Sequence, residues 1–252
     1  MSQTGIERLR AIMKTLRDPE RGCAWDCAQN HATLAPYAIE EAYEVVDAIE
    51  RGDPDALQDE LGDLLLQVVF HAELAHEQHS FDFDTIANHA ADKMEARHPH
   101  IFGGERGSMD EARWELVKQR EREARGETSA MEGVARALPA LLRAHKLQKR
   151  AAAQGFDWPD WGGARDKLLE ELAELEEARG NSAVEEEAGD LLFAVVNLVR
   201  KRGVSAEEAL RRANLKFERR YRAMEELVSK LSELSLSEQE ELWQTVKRAE
   251  RE

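Results

Sequence analysis

Apolar residues fall at helical spacing along much of the chain, and the clearest stripe is written twice. Leu61, Leu64, Leu65, Val68, Val69 and Ala72 form one copy; adding 127 gives Ala188, Leu191, Leu192, Val195, Val196 and Val199. Positions i, i+3, i+4, i+7, i+8 and i+11 line one side of a helix, so the spacing predicts two helices, each with a buried face. Upstream of each lies an acidic segment of the same periodicity. "APYAIEEAYEVVDAIE" closes on the turn "RGDPD", and "RDKLLEELAELEEA" closes on "RGNS". Each pair predicts an antiparallel helical hairpin with a short loop.

Later helices are expected to open on capping boxes at Ser108 with Glu111, Ser205 with Glu208, and Ser237 with Glu240. Long β-branched alternating runs are absent, so no strand is expected and the fold class is all-α. Residues 1–126 and 161–252 read as two helical domains. Between them, 127–160 reads as a linker whose basic amphipathic helix, "LPALLRAHKLQKRAAA", begins at Pro139.

Polar residues repeat in the same order as the stripes. The first half carries Glu40, Glu41 and Glu44, then Glu60 and Asp63, Lys93 and Arg97, and Trp114 and Lys118. The second carries Glu170, Glu171 and Glu174, then Glu187 and Asp190, Lys216 and Arg220, and Trp243 and Lys247. Offsets between corresponding motifs are 130, 127, 123 and 129, while spacing inside each motif is unchanged. The drift therefore falls between motifs, where loops absorb it. The pair Trp25-Asp26 also maps onto Phe156-Asp157, just before each acidic helix.

Residues three or four apart share a helix face, so Glu41 with Glu44 and Glu60 with Asp63 each project together. Two packed helices would bring four carboxylates to one place. Without counter-charge they would repel and raise one another's pKa values; a hard divalent cation removes that penalty. Oxygen-only ligation favours Mg²⁺, with Mn²⁺ as the alternative, and Mg²⁺ commonly shares phosphate oxygens with a substrate. A Lys-Arg pair then supplies fixed positive charge for a polyphosphate, and Trp with Lys offers a stacking face and another cation. A lone acidic motif would more often be a solvated helix face; the ordered set recurring in one chain is harder to attribute to composition.

Charge narrows the partners. Lys and Arg number 35 against 51 Asp and Glu, a formal net charge of −16, which opposes binding to a nucleic-acid backbone. No apolar run reaches membrane-spanning length, and "MSQTGIERLRAIMK" lacks a signal peptide's apolar core, so a cytoplasmic protein is expected. Cys23, Cys27 and His31 form an i, i+4, i+8 series that could suggest zinc. No fourth ligand of matching type is evident, and two free thiols are expected.

These residues resemble the MazG family of nucleoside triphosphate pyrophosphohydrolases, whose pattern is EExxE, a spacer, then ExxD. "CAWDCAQNHATLAPYAIEEAYEV", "RHPHIFG", "LLRAHKLQKRAAAQGFDW" and "ANLKFERRYRAME" also look like that family, so the resemblance covers nearly the whole chain. Ala24 stands where the family's entry motif usually has proline, and Cys27 is unexpected there. The resemblance implies two tandem four-helix units, a homodimer, Mg²⁺ dependence, and hydrolysis of nucleoside triphosphates to monophosphate and pyrophosphate. Carried over by motif, Glu171, Glu174, Glu187 and Asp190 would hold metal, with Glu41, Glu44, Glu60 and Asp63 as first-copy equivalents. Lys167, Lys216, Arg220, Trp243 and Lys247 would contact nucleotide, with Lys93, Arg97, Trp114 and Lys118 in the first copy. The second copy is the expected seat of activity. Glu171 is expected to be required for turnover, and Glu170, beside the ligands, is the candidate base for attack of water on the α-phosphorus.

Two rival readings make different predictions. A di-iron bundle would use Glu73 with His76 and Glu95 with His98, which have the required spacing but no second-copy counterparts. A non-catalytic adaptor would use the acidic faces to bind a cation or a basic partner, leaving the recurrent Lys-Arg and Trp-Lys motifs unexplained.

Overall fold

A computed structural model describes residues 3–103, 111–124 and 126–250. The chain divides into two compact units, Met1–Gln119 and Arg120–Glu252. Among the described residues the regular structure is helical throughout, and no helix is long and apolar enough to cross a membrane.

The first unit contains α1 (Gly5–Leu16), α2 (Ala24–Ala28), α3 (His31–Arg51), α4 (Pro54–Glu77), α5 (Phe83–Arg97) and α6 (Pro99–Phe102); α7 (Glu111–Ala124) crosses the division between units. α3 and α4 form the expected hairpin. Gly52 ends α3 at φ 66°, a left-handed conformation that a side chain would strain. Asp53 then accepts from the N–H groups of Asp55 and Ala56, and Pro54 occupies the first turn of α4, where a missing N–H costs nothing. α1 and α5 pack on α4 around Met13, Leu34, Val69, Phe70 and Leu74, with Ile6, Leu9, Leu66 and Phe83 at the margin.

That core corrects the expected stripe of α4. Val69 and Ala72 are buried, but Leu61, Leu65 and Val68 are exposed, and the inward face runs through Leu66, Val69, Phe70 and Leu74. Residues 64–66 and 68–70 are apolar on every side of the helix, so periodicity could not choose; Met13 and Phe83 choose the face by packing.

The second unit contains α8 (Ala140–Ala153), α9 (Trp161–Glu177), α10 (Asn181–Lys201), α11 (Ala206–Leu227), a 3-10 turn at Leu231–Glu233, and α12 (Leu236–Ala249). α9 and α10 form its acidic hairpin, and α8 packs against α10 and α11. The Leu142 N–H donates to the Glu207 carboxylate (3.2 Å), and Gln148 Nε2 donates to the Phe193 carbonyl (2.9 Å). The segment set apart in the sequence as a linker thus contributes a packed helix to this unit. Val196 is buried as expected, whereas Leu192 is 57% exposed.

Ser205 accepts from the Glu208 N–H at the start of α11, one half of the expected capping box. α12 opens two residues earlier than expected: Ser235, not Ser237, is its N-cap, and the Ser235 N–H donates back to Glu238 (2.7 Å). Both serines have Glu three residues on, and the reciprocal bonds at Ser235 decide between them. Ser108 lies outside the described residues.

Candidate functional site

Each acidic hairpin brings carboxylates from two helices together. Donor oxygens of Glu41 on α3 and of Glu60 and Asp63 on α4 lie within 4.8 Å of one another, as do those of Glu171 on α9 and of Glu187 and Asp190 on α10. Short loops after α3 and α9 set this register: Glu41 and Glu171 stand some way before the turn, and the ExxD pair follows it on the returning helix. Glu171 is buried at 5% exposure, whereas Asp63 and Asp190 reach solvent.

Glu44 and Glu174 stand beside these sets rather than within the shared 4.8 Å. Each shares a hydrogen bond with its neighbour one turn back, Glu41 or Glu171. The crowding has the expected electrostatic cost. Loss of hydration, then the charges of Asp63 and Glu44, hold Glu41 above the ordinary glutamate value. Glu60 is raised by loss of hydration and by Glu44, Asp59 and Asp63, and Glu174 by loss of hydration and by Glu171. Clustered oxygens that resist ionisation together form a donor set suited to a hard divalent cation.

Lys167 meets the second cluster directly. Its Nζ lies 2.6 Å from Glu170 Oε1 and 2.7 Å from Glu171 Oε1, and these hydrogen bonds raise its pKa well above the ordinary lysine value. Glu170 is thus placed next to the cluster, half-exposed, with its carboxylate held by Lys167.

The cation and aromatic motifs assemble on the other helices of each unit. Arg220 of α11 lies over the Trp243 ring of α12 at 5.5 Å, and Glu250 holds its guanidinium at 2.7 Å. Arg97 and Lys118 lie over the Trp114 ring at 5.1 and 5.2 Å. Lys216 is exposed on α11, Lys247 half-buried on α12, and Lys93 half-buried on α5. Sequence reasoning missed Phe217, whose ring is 5.4 Å from Trp243 and 6.0 Å from Tyr221, and His98, 5.8 Å from Trp114. Phe217 and Tyr221 sit one residue beyond Lys216 and Arg220, a repeated adjacency that could have revealed them.

The remaining metal candidates do not assemble. Among the described residues only the two carboxylate groups gather three or more potential ligands. Glu73 and His76 line an open groove with Glu7, Arg10, Lys14 and Asp82, but belong to no such convergent group. His98 Nδ1 is engaged with the Met94 carbonyl at 2.7 Å. Cys23 and Cys27 are free thiols. The helical spacing that suggested a zinc series is interrupted, because Cys27 lies in α2 and His31 opens α3, where it faces His71 with Nδ1 atoms 2.8 Å apart.

Residues 29–102 and 164–224 match the family described as the MazG nucleotide pyrophosphohydrolase domain. The chain belongs to the MazG family. Both matched segments contain an acidic hairpin, so the family pattern and the two clusters coincide. Among MazG relatives, the chain is 51% identical to a protein of Escherichia coli K12 named nucleoside triphosphate pyrophosphohydrolase, covering 97% of this chain and 98% of that one. It is 43% identical to the nucleoside triphosphate pyrophosphohydrolase/pyrophosphatase MazG of Thermotoga maritima, covering 98% of both. It is also 39% identical to the uncharacterized protein YabN of Bacillus subtilis, of which it spans 51%.

Proposed function

We propose that this MazG protein hydrolyses nucleoside triphosphates to nucleoside monophosphate and pyrophosphate, using Mg²⁺ (or Mn²⁺) at the Glu171–Glu187–Asp190 cluster. The observation that carries the reading is that oxygen donors alone converge from two helices in each unit, within a chain 51% identical to a named pyrophosphohydrolase. Glu174 completes the second set, and Glu41, Glu44, Glu60 and Asp63 are its first-copy counterparts. A bound divalent ion would supply charge neutralisation at the phosphates and lower the pKa of water at the reacting centre.

The chain's own groups do the rest. Arg220, with Trp243 beneath it, presents a guanidinium on an aromatic platform, and Lys216 and Lys247 extend the positive surface on the same helices. These groups hold the triphosphate and stack the base; Lys93, Arg97, Trp114 and Lys118 do so in the first unit. Glu170 accepts the proton of the attacking water as it adds to the α-phosphorus and pyrophosphate leaves. Lys167, one turn away, is placed to follow the phosphate charge.

Assembly as a homodimer would cover apolar surface that one chain leaves exposed, including Tyr43, Leu61 and Leu65 in the first unit and Leu172, Leu192 and Phe193 in the second. The adaptor reading accounts for none of the cation–aromatic pairs. Pyrophosphate release from a panel of canonical and modified nucleoside triphosphates, with and without Mg²⁺, tests the function. Metal-dependent release from at least one substrate supports it, and no release from any member favours the adaptor.

A further inference from the structure

The two clusters differ in charge at the position one turn before their first carboxylate. Lys167 stands one turn before Glu171, and shifting by the 130-residue offset of the acidic motif brings Tyr37 to the same place before Glu41. In the second unit the position holds an ammonium that bonds Glu170 and Glu171 at 2.6 and 2.7 Å. In the first it holds an uncharged ring, 6.2 Å from Trp25 in an edge-on contact. Two sites built from the same carboxylates therefore begin from different charge states.

We infer that Lys167 is a resident counter-ion of the second cluster, displaced when a divalent cation binds, and that Tyr37 leaves the first cluster without this competition. The inference rests on reading the clusters as divalent-cation sites. Its basis is that Glu171 belongs to both arrangements: it is one of three converging donors and the partner of Lys167. A dication at the three carboxylates would repel an ammonium 2.7 Å from one of them, while an incoming polyphosphate would attract it. The four-carbon stem of lysine allows that movement without disturbing α9.

Release has a second consequence. Lys167 also holds Glu170, so its departure frees that carboxylate to accept a proton once the divalent cation has bound. Because linkage is reciprocal, a lysine that metal displaces must itself weaken metal binding. A lysine that merely contacts phosphate would leave nucleotide-free metal affinity unchanged. The two roles are separable without measuring turnover.

The experiment is Mn²⁺ binding to the nucleotide-free, full-length chain, followed by electron paramagnetic resonance. Glu60→Gln with Asp63→Asn disables the first cluster and isolates the second; Glu187→Gln with Asp190→Asn does the reverse. With the second cluster isolated, Lys167→Met is expected to tighten Mn²⁺ about tenfold, and to weaken subsequent binding of a non-hydrolysable nucleoside triphosphate. With the first isolated, Tyr37→Lys is expected to weaken Mn²⁺ by a similar factor. Unchanged or weaker Mn²⁺ binding in Lys167→Met overturns the inference while leaving the metal site standing. Absence of Mn²⁺ binding in every protein overturns both. Circular dichroism confirms that each variant retains its helical content, and the Tyr37→Lys arm decides the question if Lys167→Met does not fold.

Discussion

Arg200, in the last turn of α10, donates to both carboxylate oxygens of Asp157, at 2.8 and 3.2 Å, across 43 residues of sequence. Lys201 adds a bond at 3.1 Å, so the loop before α9 is tied to the end of α10, on the hairpin that carries the second cluster. Loss of hydration acts to raise the Asp157 pKa, but the bonds and charges of Arg200 and Lys201 outweigh it, and the carboxyl titrates below the ordinary aspartate range. A depressed folded pKa stabilises at pH above the unfolded value, and the contribution is lost as pH falls through the folded one. Asp157→Asn is expected to cost about 2 kcal/mol near neutral pH. Urea unfolding of both proteins should show this gap shrinking as pH falls below the ordinary aspartate value of about 3.9.

Gly163, in the first turn of α9, lies against Trp158: a Cβ there would stand 2.1 Å from the indole Cδ1. The Trp158 backbone is itself held by Lys201 through its carbonyl, so the ring cannot simply retreat with its loop. Gly163→Ala is expected to destabilise by about 1–3 kcal/mol. Thermal unfolding should show the loss, and adding Trp158→Ala should recover part of it, since the double variant removes the clash.

Gly189 presents the opposite case. It lies inside α10 beside Asp190, and a Cβ built on it meets nothing within 4 Å; Gly62 beside Asp63 is the same. Glycine inside a helix has an entropic cost, so Gly189→Ala is expected to stabilise by about 0.5–1 kcal/mol. A denaturation midpoint that fell would show that the space is used within the folded chain.

How far the sequence disclosed this arrangement depended on whether each feature is local. The acidic hairpins and their register were legible because helical spacing and short turns determine which carboxylates face together. Glu44 and Glu174, which the same spacing assigns to the ligand sets, lie beside the three converging donors and share hydrogen bonds with Glu41 and Glu171. The Asp157–Arg200 tie and the ring of Phe217 against Trp243 depend on packing between helices distant in sequence, which periodicity does not encode. The buried side of α4 was illegible for another reason: apolar residues on all sides leave the choice to the helices packed upon it.

Divalent ions should also stabilise the chain without substrate, since they relieve the crowding that raises Glu41, Glu60 and Glu174. Thermal unfolding is expected to shift upward on adding Mg²⁺ or Mn²⁺ and to return on chelation. Glu60→Gln and Glu187→Gln combined in one chain should abolish the shift. A shift that survived in that protein would place the stabilising ion elsewhere.

The most direct measurement is pyrophosphate release by cluster-specific variants under saturating Mg²⁺ and nucleoside triphosphate. Glu171→Gln, which removes the buried carboxylate of the second cluster, is expected to lower turnover about 100-fold or more. Glu41→Gln, its first-copy counterpart, should leave most turnover intact. Full turnover in Glu171→Gln would contradict the assignment of catalysis to the Glu171–Glu187–Asp190 cluster.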